Sequence, residues 1–261
     1  MAPTRLARLL ERFSLARRPG MLPGLIIPGA MKAGTTSLFA YLAGHPQLVP
    51  AAGKETHYFD WHARRGPAWY ARQFRRRPGR LAFESTPYYM FEPRVPRLIR
   101  ELVPDVKLVF LLRDPVERAF SHYHNNRRLG REPLGFEEAL AAEDERLAGE
   151  ETRMLADPTY VSERHRLYSY RSRGLYAVQI ERWLRHFPVE QMRFIDARRL
   201  FADTRGVLTD VLAFLGLDPW EPADCRPRNQ GRHDEAMAAP TRARLQAFFE
   251  PHERRLAELI G

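Results

Sequence analysis

Residues 25–37, Leu-Ile-Ile-Pro-Gly-Ala-Met-Lys-Ala-Gly-Thr-Thr-Ser, constrain this chain more than any other stretch. An apolar run ends in Gly29, a short loop carries Lys32, and Thr35, Thr36 and Ser37 open a helical pattern. A buried strand that turns through glycines into a helix is the repeating unit of a parallel α/β sheet. The exposed N–H groups of the helix's first turn, with the positive end of its dipole, form an anion site. Lys32 adds a full charge and the hydroxyls add donors, so the segment predicts a phosphate or sulfate cradle. The plainer alternative is a strand-to-helix turn with a solvated lysine. A nucleotide triphosphate loop would carry its lysine directly after the second glycine. Gly29 and Gly34 have that separation, but Thr35 occupies the lysine position, which speaks against an ordinary ATPase or GTPase.

The rest of the chain extends the same plan. Strands are predicted at 25–28, 80–84, 107–112 and 192–196. Helices are predicted over 35–43 and 94–102, and after the last strand through Phe214. A further helix has a start signal in Asp114 as N-cap, Pro115 at the first position and Glu117 completing a capping box. The expected fold is α/β: a P-loop-like three-layer domain with a central parallel sheet flanked by helices. A single domain over 23–261 would follow a basic amphipathic extension at 1–22. Leu6, Leu9, Leu10 and Phe13 of that extension recur at helical spacing, which suits a packing helix or weak association with an anionic membrane. The acid-rich stretch 136–156 reads as a solvated helix face. Residues 64–80 carry seven arginines among Trp69, Tyr70 and Phe74, a solvated loop or a grip for a polyanion.

With 42 Lys+Arg against 32 Asp+Glu the chain is net +10, which suggests an anionic ligand, acidic substrate or acidic surface. The single cysteine, Cys225, excludes an internal disulfide and a Cys-rich metal site and fits a reducing compartment. No apolar run approaches the roughly 20 residues that cross a bilayer. No metal-ligand cluster is evident.

Two further constellations carry chemistry. Lys54-Glu55-Thr56-His57-Tyr58-Phe59-Asp60 places a carboxylate beside an imidazole, which suits general acid–base work or a simple surface pair. Arg113-Asp114-Pro115-Val116-Glu117-Arg118-Ala119-Phe120-Ser121 puts an arginine at the end of a buried strand, where open α/β sheets bind ligands. A capping-region ion pair is the alternative for Arg113.

Together with Glu84-Ser-Thr-Pro87, Gly174-Leu-Tyr-Ala-Val-Gln-Ile-Glu-Arg-Trp-Leu184 and Asn229-Gln-Gly-Arg-His233, these elements stand in the order found in sulfotransferases that use 3′-phosphoadenosine 5′-phosphosulfate (PAPS). From about residue 24 onward the chain resembles that family, closest to its heparan sulfate branch and bacterial relatives. The resemblance implies that Lys32, Ala33, Gly34, Thr35, Thr36 and Ser37 hold the 5′-phosphosulfate. It assigns Arg113 and Ser121 to the 3′-phosphate, and Gly231 and Arg232 to a loop closing over that end. Basic residues spread over Arg226, Arg228 and Arg232 leave that last contact open. Glu55 matches the acceptor-activating base, with His57 as competitor. Lys54, Asp60, Pro87 and Tyr88 are expected near the acceptor, as are His122, His124, Asn125 and Asn126. Tyr176 is a candidate for the nucleotide site, whereas Trp183, Leu184 and Phe187 read as helix core. Burial is expected to raise the Glu55 pKa toward useful basicity. The implied co-substrate is PAPS and the product adenosine 3′,5′-bisphosphate, with no metal. A small-molecule, lipid or saccharide hydroxyl (or an amine) would be the acceptor. No nucleic-acid partner is expected, and a bacterial cytoplasmic location fits the lack of an anchor. The alternatives are a P-loop kinase-type phosphotransferase, which magnesium dependence would reveal, and a non-catalytic polyanion-binding protein.

Overall fold

The computed structural model describes residues 20–228 and 236–261. Five strands form one parallel sheet among these residues: β1 (Leu25–Gly29), β2 (Leu48–Pro50), β3 (Leu81–Ser85), β4 (Lys107–Leu112) and β5 (Met192–Asp196). Their order is β2-β3-β1-β4-β5. The chain therefore passes from β1 to the edge strand β2, returns to β3 between them, and then crosses to β4 and β5 on the other side. Leu25 of β1 registers with Phe83 on one flank and Lys107 on the other, so β1 is central and buried along its whole length. The connections leaving the carboxyl ends of neighbouring β1 and β4 run to opposite sides and open a crevice there, the position at which such sheets bind ligands.

The expected α/β plan of parallel strands under flanking helices is what the chain adopts. The short edge strand β2 carries little pattern in its three residues and was outside the predicted set. The helix Pro115–Arg128 begins as expected, with the Asp114 side chain accepting from the Glu117 N–H at 2.9 Å. Only half of the capping box forms, because the Glu117 carboxylate turns to Arg242 at 2.6 Å instead. The single helix expected through Phe214 is two, Ala197–Ala202 and Thr204–Leu215, and Asp203 caps the second.

The acid-rich stretch corrects a second expectation. It folds as three short helices, Phe136–Ala141, Glu143–Leu147 and Glu150–Ala156, and its face is not uniformly solvated. Glu143 is buried and accepts from the N–H groups of Arg171 and Ser172 at 2.6 and 2.8 Å. That contact fixes the turn leading to Arg173 and Gly174. A side chain at Gly174 would collide with Phe249 and Pro115, so the glycine lets three helices approach: Pro115–Arg128, Tyr176–Leu184 and Ala239–Ile260.

Trp183, fully buried, anchors the layer between Tyr176–Leu184 and the sheet. It meets Phe110 edge-on at 5.2 Å and donates its indole N–H to the Met90 carbonyl at 3.1 Å. Trp183 and Phe187 thus belong to the core, with Leu184 half-buried against it. Truncating Trp183 to alanine should cost about 3–5 kcal/mol in urea unfolding, because the cavity term adds to an orphaned carbonyl. Trp183→Phe should cost clearly less.

Candidate functional site

A cavity of about 590 Å³ opens at the carboxyl end of the sheet. Three loops following strands build its wall. The loop after β1 contributes Met31, Lys32 and Gly34, and the helix Thr35–Leu42 adds Thr35 and Thr36 from its first turn. Gly34, at φ 97°, is the N-cap of that helix, and a Cβ there would lie 2.8 Å from the Phe201 ring. Only glycine takes that conformation cheaply with a ring so near. Ala33 and Ser37 stand behind the wall, buried. The Ser37 hydroxyl accepts from the Arg228 N–H at 2.8 Å and so ties Arg228, itself on the cavity, to the helix.

Lys32 has φ 69°, a left-handed backbone that costs a non-glycine residue on the order of 1–3 kcal/mol. Burial, then the charges of Arg113 and Arg128, push its ammonium below the ordinary lysine range. Arg113 follows β4 and donates to the Lys32 carbonyl at 3.0 Å, joining the two loops. Tyr176 does not line the cavity. Its hydroxyl donates to the Arg113 carbonyl at 3.0 Å and holds that arginine's backbone. Ser121, two turns into Pro115–Arg128, faces the same space together with His122, Asn125 and Asn126.

The third group is Lys54, Glu55 and His57, from the connection after β2. Glu55 and His57 are the other two non-glycines with positive φ among the described residues, 68° and 49°. The buried carboxylate of Glu84, at the end of β3, pins this connection. It accepts from Thr56 and Thr86 hydroxyls at 2.6 and 2.7 Å and from the Tyr70 hydroxyl. The Tyr89 hydroxyl, accepting from the Tyr58 N–H at 2.8 Å, fixes the π-helical turn Tyr58–His62 that follows. The expectation that Glu84-Ser-Thr-Pro87 matters therefore holds in a structural sense, while Pro87 and Tyr88 line the cavity.

Within this loop the charges are coupled. The His57 ring bonds Asp60 through Nδ1 at 2.7 Å and lies 3.3 Å from Glu55 through Nε2. Lys54 donates to the other Glu55 oxygen at 3.1 Å. Burial alone would lower the His57 pKa, yet hydrogen bonds to Asp60 and Glu55 raise it to about 9. Burial would raise that of Glu55, but His57 and Lys54 hold it down to about 2. The expected upward shift of Glu55 is thus reversed, because its two cationic neighbours outweigh desolvation. At neutral pH Glu55 is the unprotonated member of the pair and His57 carries the proton. Asp60, almost wholly buried, sits behind His57.

Sequence reasoning missed Arg131, Arg166, Arg173 and Arg198, all of which line the cavity, with Phe201. Arg173 is buried, and burial pushes its guanidinium down to about 9. It lies one residue before the motif recognised at Gly174, so a slightly wider reading would have included it. His124 packs edge-on against Phe120 at 4.2 Å and is not among the lining residues. Gly231 and Arg232 lie outside the described residues, as does most of the 1–22 extension.

With this geometry in place, comparison with known proteins is decisive. The chain matches the sulfotransferase domain family over residues 22–224 and belongs to that family. It is 32% identical over 284 aligned positions to mouse heparan sulfate glucosamine 3-O-sulfotransferase 3A1, covering 99% of this chain and 67% of that protein. The human 3A1 protein is 37% identical over 217, covering 82% of this chain and 48% of the relative. The chain thus spans about half to two-thirds of the length of these relatives. The crystal structure of a sulfotransferase from Alicyclobacillus acidocaldarius is similar at TM-score 0.75 and 33% identity, covering 92% of this chain and 96% of that one. The sulfotransferase domain of the curacin biosynthetic pathway, 17% identical at TM-score 0.52, shares the fold. Family membership implies transfer of a sulfuryl group to an acceptor.

The coupled charges give a direct measurement. In an NMR titration the His57 ring should titrate near 9, and Asp60→Asn should move it down. Because the folded value lies above the ordinary 6.5, the stability this imidazolium contributes is complete below 6.5 and lost as pH rises through about 9. A ring titrating near 6.5 in the native protein would refute the coupling.

Proposed function

We propose that this sulfotransferase uses PAPS as donor and that Glu55 is the base that activates the acceptor. The observation that carries the reading is the charge facing the cavity. Among the described residues, Lys32, Lys54, Arg113, Arg131, Arg166, Arg173, Arg198 and Arg228 line it against one lining acid, Glu55, with Arg198 and Arg228 also paired to Asp196 and Asp224 outside the lining. Such a surface suits a donor with several phosphate and sulfate charges far better than a neutral or singly charged ligand. Lys32 and the N–H groups opening Thr35–Leu42 suit the phosphosulfate end, and Arg113 with Ser121 suits the 3′-phosphate.

In this reading the acceptor oxygen attacks sulfur in line as the bond from sulfur to the bridging oxygen breaks. The electron pair leaves with the phosphate, and the acceptor proton passes to Glu55. Positioning and charge neutralisation supply most of the acceleration, as in phosphoryl transfer. The Lys32 ammonium meets the charge developing on the bridging oxygen. The burial and like charges that already depress its pKa make an anionic partner more favourable. Glu55 rather than His57 is assigned the proton, because His57 is charged until pH rises through about 9. A pKa of about 2 makes free Glu55 a weak base. Acceptor binding that draws Lys54 away from Glu55 would raise it. A saccharide hydroxyl is the preferred acceptor, in keeping with relatives named for the glucosamine of heparan sulfate.

The test is incubation with sulfur-labelled PAPS and a panel of hydroxyl compounds, followed by variants. Lys32→Ala should lower kcat about 10²–10³-fold, the typical cost of one transition-state donor. Glu55→Gln should lower it about 10²–10⁴-fold with nucleotide binding kept. Full activity in that variant would transfer the role to His57. In calorimetry adenosine 3′,5′-bisphosphate should bind more tightly than AMP, and Arg113→Ala should erase most of the difference. Equal affinities in the unmodified protein would refute the donor assignment.

A further inference from the structure

The largest unbalanced charge outside the cavity lies in residues 62–80, which hold seven arginines and no acid. Arg64, Arg65, Arg75, Arg76, Arg77 and Arg80 are exposed. None of them has a carboxylate partner among the described residues, although equally exposed Arg97, Arg198, Arg199 and Arg255 each hold one. A solvated surface normally mixes its signs, and here the acids have been left out.

The face is firmly built. Tyr70 and Phe74 are fully buried beneath it. The Ala52 N–H donates to the Gln73 carbonyl at 2.8 Å, and Ala51 bridges Phe74. That same strand edge continues two residues later into Lys54 and Glu55 of the cavity. Trp69 is partly exposed on this side, the Arg65 guanidinium lying 5.1 Å over its ring. The chain also enters the described fold here, since Gly20 bridges Arg75 and the Met21 N–H donates to Ala71 at 3.2 Å. The sequence before Gly20 adds five arginines against one acid, with Leu6, Leu9, Leu10 and Phe13.

We propose that this arginine face docks the protein on an anionic lipid bilayer, placing the Glu55 edge of the cavity near the membrane surface. Unpaired arginines gain from a negatively charged headgroup plane, and indole rings favour that interface. A soluble polyanion would meet the same arginines but would leave the half-exposed Trp69 indole beside them without a role. The inference does not depend on the donor assignment.

The full-length protein should sediment with vesicles of equal parts phosphatidylcholine and phosphatidylglycerol, not with phosphatidylcholine alone, and should release as salt rises. Replacing Arg75, Arg76 and Arg77 together with glutamate should weaken binding roughly a hundredfold or more, at about fivefold per arginine lost. The corresponding lysine triple should retain it. An unchanged circular-dichroism spectrum and thermal-unfolding midpoint report that the glutamate variant is folded; if it is not, Arg76→Gln alone should show the single fivefold step. Equal sedimentation of the charge-reversed protein would overturn the proposal. Retention on heparin or RNA without sedimentation on the anionic vesicles would overturn it in favour of a soluble polyanion.

Discussion

The organising constraint in this molecule is electrostatic: cations outnumber acids around one cavity, and while Glu55, Asp196 and Asp224 pair with Lys54, Arg198 and Arg228, other nearby carboxylates are engaged in building loops. Glu84 is saturated by three hydroxyls, Glu143 by the backbone and hydroxyl of the 171–172 turn, and Glu132 by Arg146 and Tyr170. Each of these carboxylates shapes a loop and none of them lines the cavity. Like charges brought together in a partly desolvated space repel, so the arrangement is costly until an anion enters. The sheet makes it affordable, since rigid strands β1, β3 and β4 end at the crevice and dictate where the loops begin.

Strain follows the same map. Lys32, Glu55 and His57 are the non-glycine residues with positive φ among the described residues, and all three line the cavity. A backbone conformation that costs free energy persists only where the surroundings over-determine it. For Lys32 the surroundings are the Gly34-capped helix and Arg113 on its carbonyl. For Glu55 and His57 they are the Ser85 carbonyl, which accepts from the Glu55 N–H at 3.1 Å, and the Glu84 and Tyr89 network beneath. A framework this specific aims the side chains and limits their freedom before any ligand arrives, which lowers the entropic cost of a productive geometry.

Much of this was legible in the chain, for reasons that differ from element to element. The apolar run at β1, the Gly29-Ala-Met-Lys-Ala-Gly-Thr-Thr-Ser37 loop and the Asp114-Pro115 helix start are local signals, and local signals survive folding. The cavity's Lys32, Arg113, Ser121, Glu55 and His57 were found because short motifs carried them. Strand β2 was invisible, since three residues cannot display a period. Arg131, Arg166, Arg173 and Arg198 were missed because distant parts of the chain bring them to the cavity. The reversal at Glu55 belongs to the same category. Burial was predictable from the motif, but the sign of the shift depended on where His57 and Lys54 would point. Likewise, nothing in the acid-rich run distinguished buried Glu143 from its solvated neighbours.

The coupling among Lys54, Glu55, His57 and Asp60 bears on how a weakly basic carboxylate can serve as a base. Asp60 anchors the proton on His57, and the charged ring in turn keeps Glu55 ionised. Glu55 stays unprotonated in the free protein, the form that can take a proton, while His57 is already charged. A carboxylate whose partners are one solvent-accessible lysine and one fixed imidazolium can lose the first and keep the second. Displacement of Lys54 by the acceptor would then raise Glu55 basicity only when the acceptor is in place, while His57 remains to stabilise the negative charge until transfer. Under the proposed assignment of Glu55 as base, proton acceptance and acceptor binding are linked through the Lys54–Glu55 ion pair, and hydrolysis of the donor by water, which displaces no lysine, is disfavoured by the same physics.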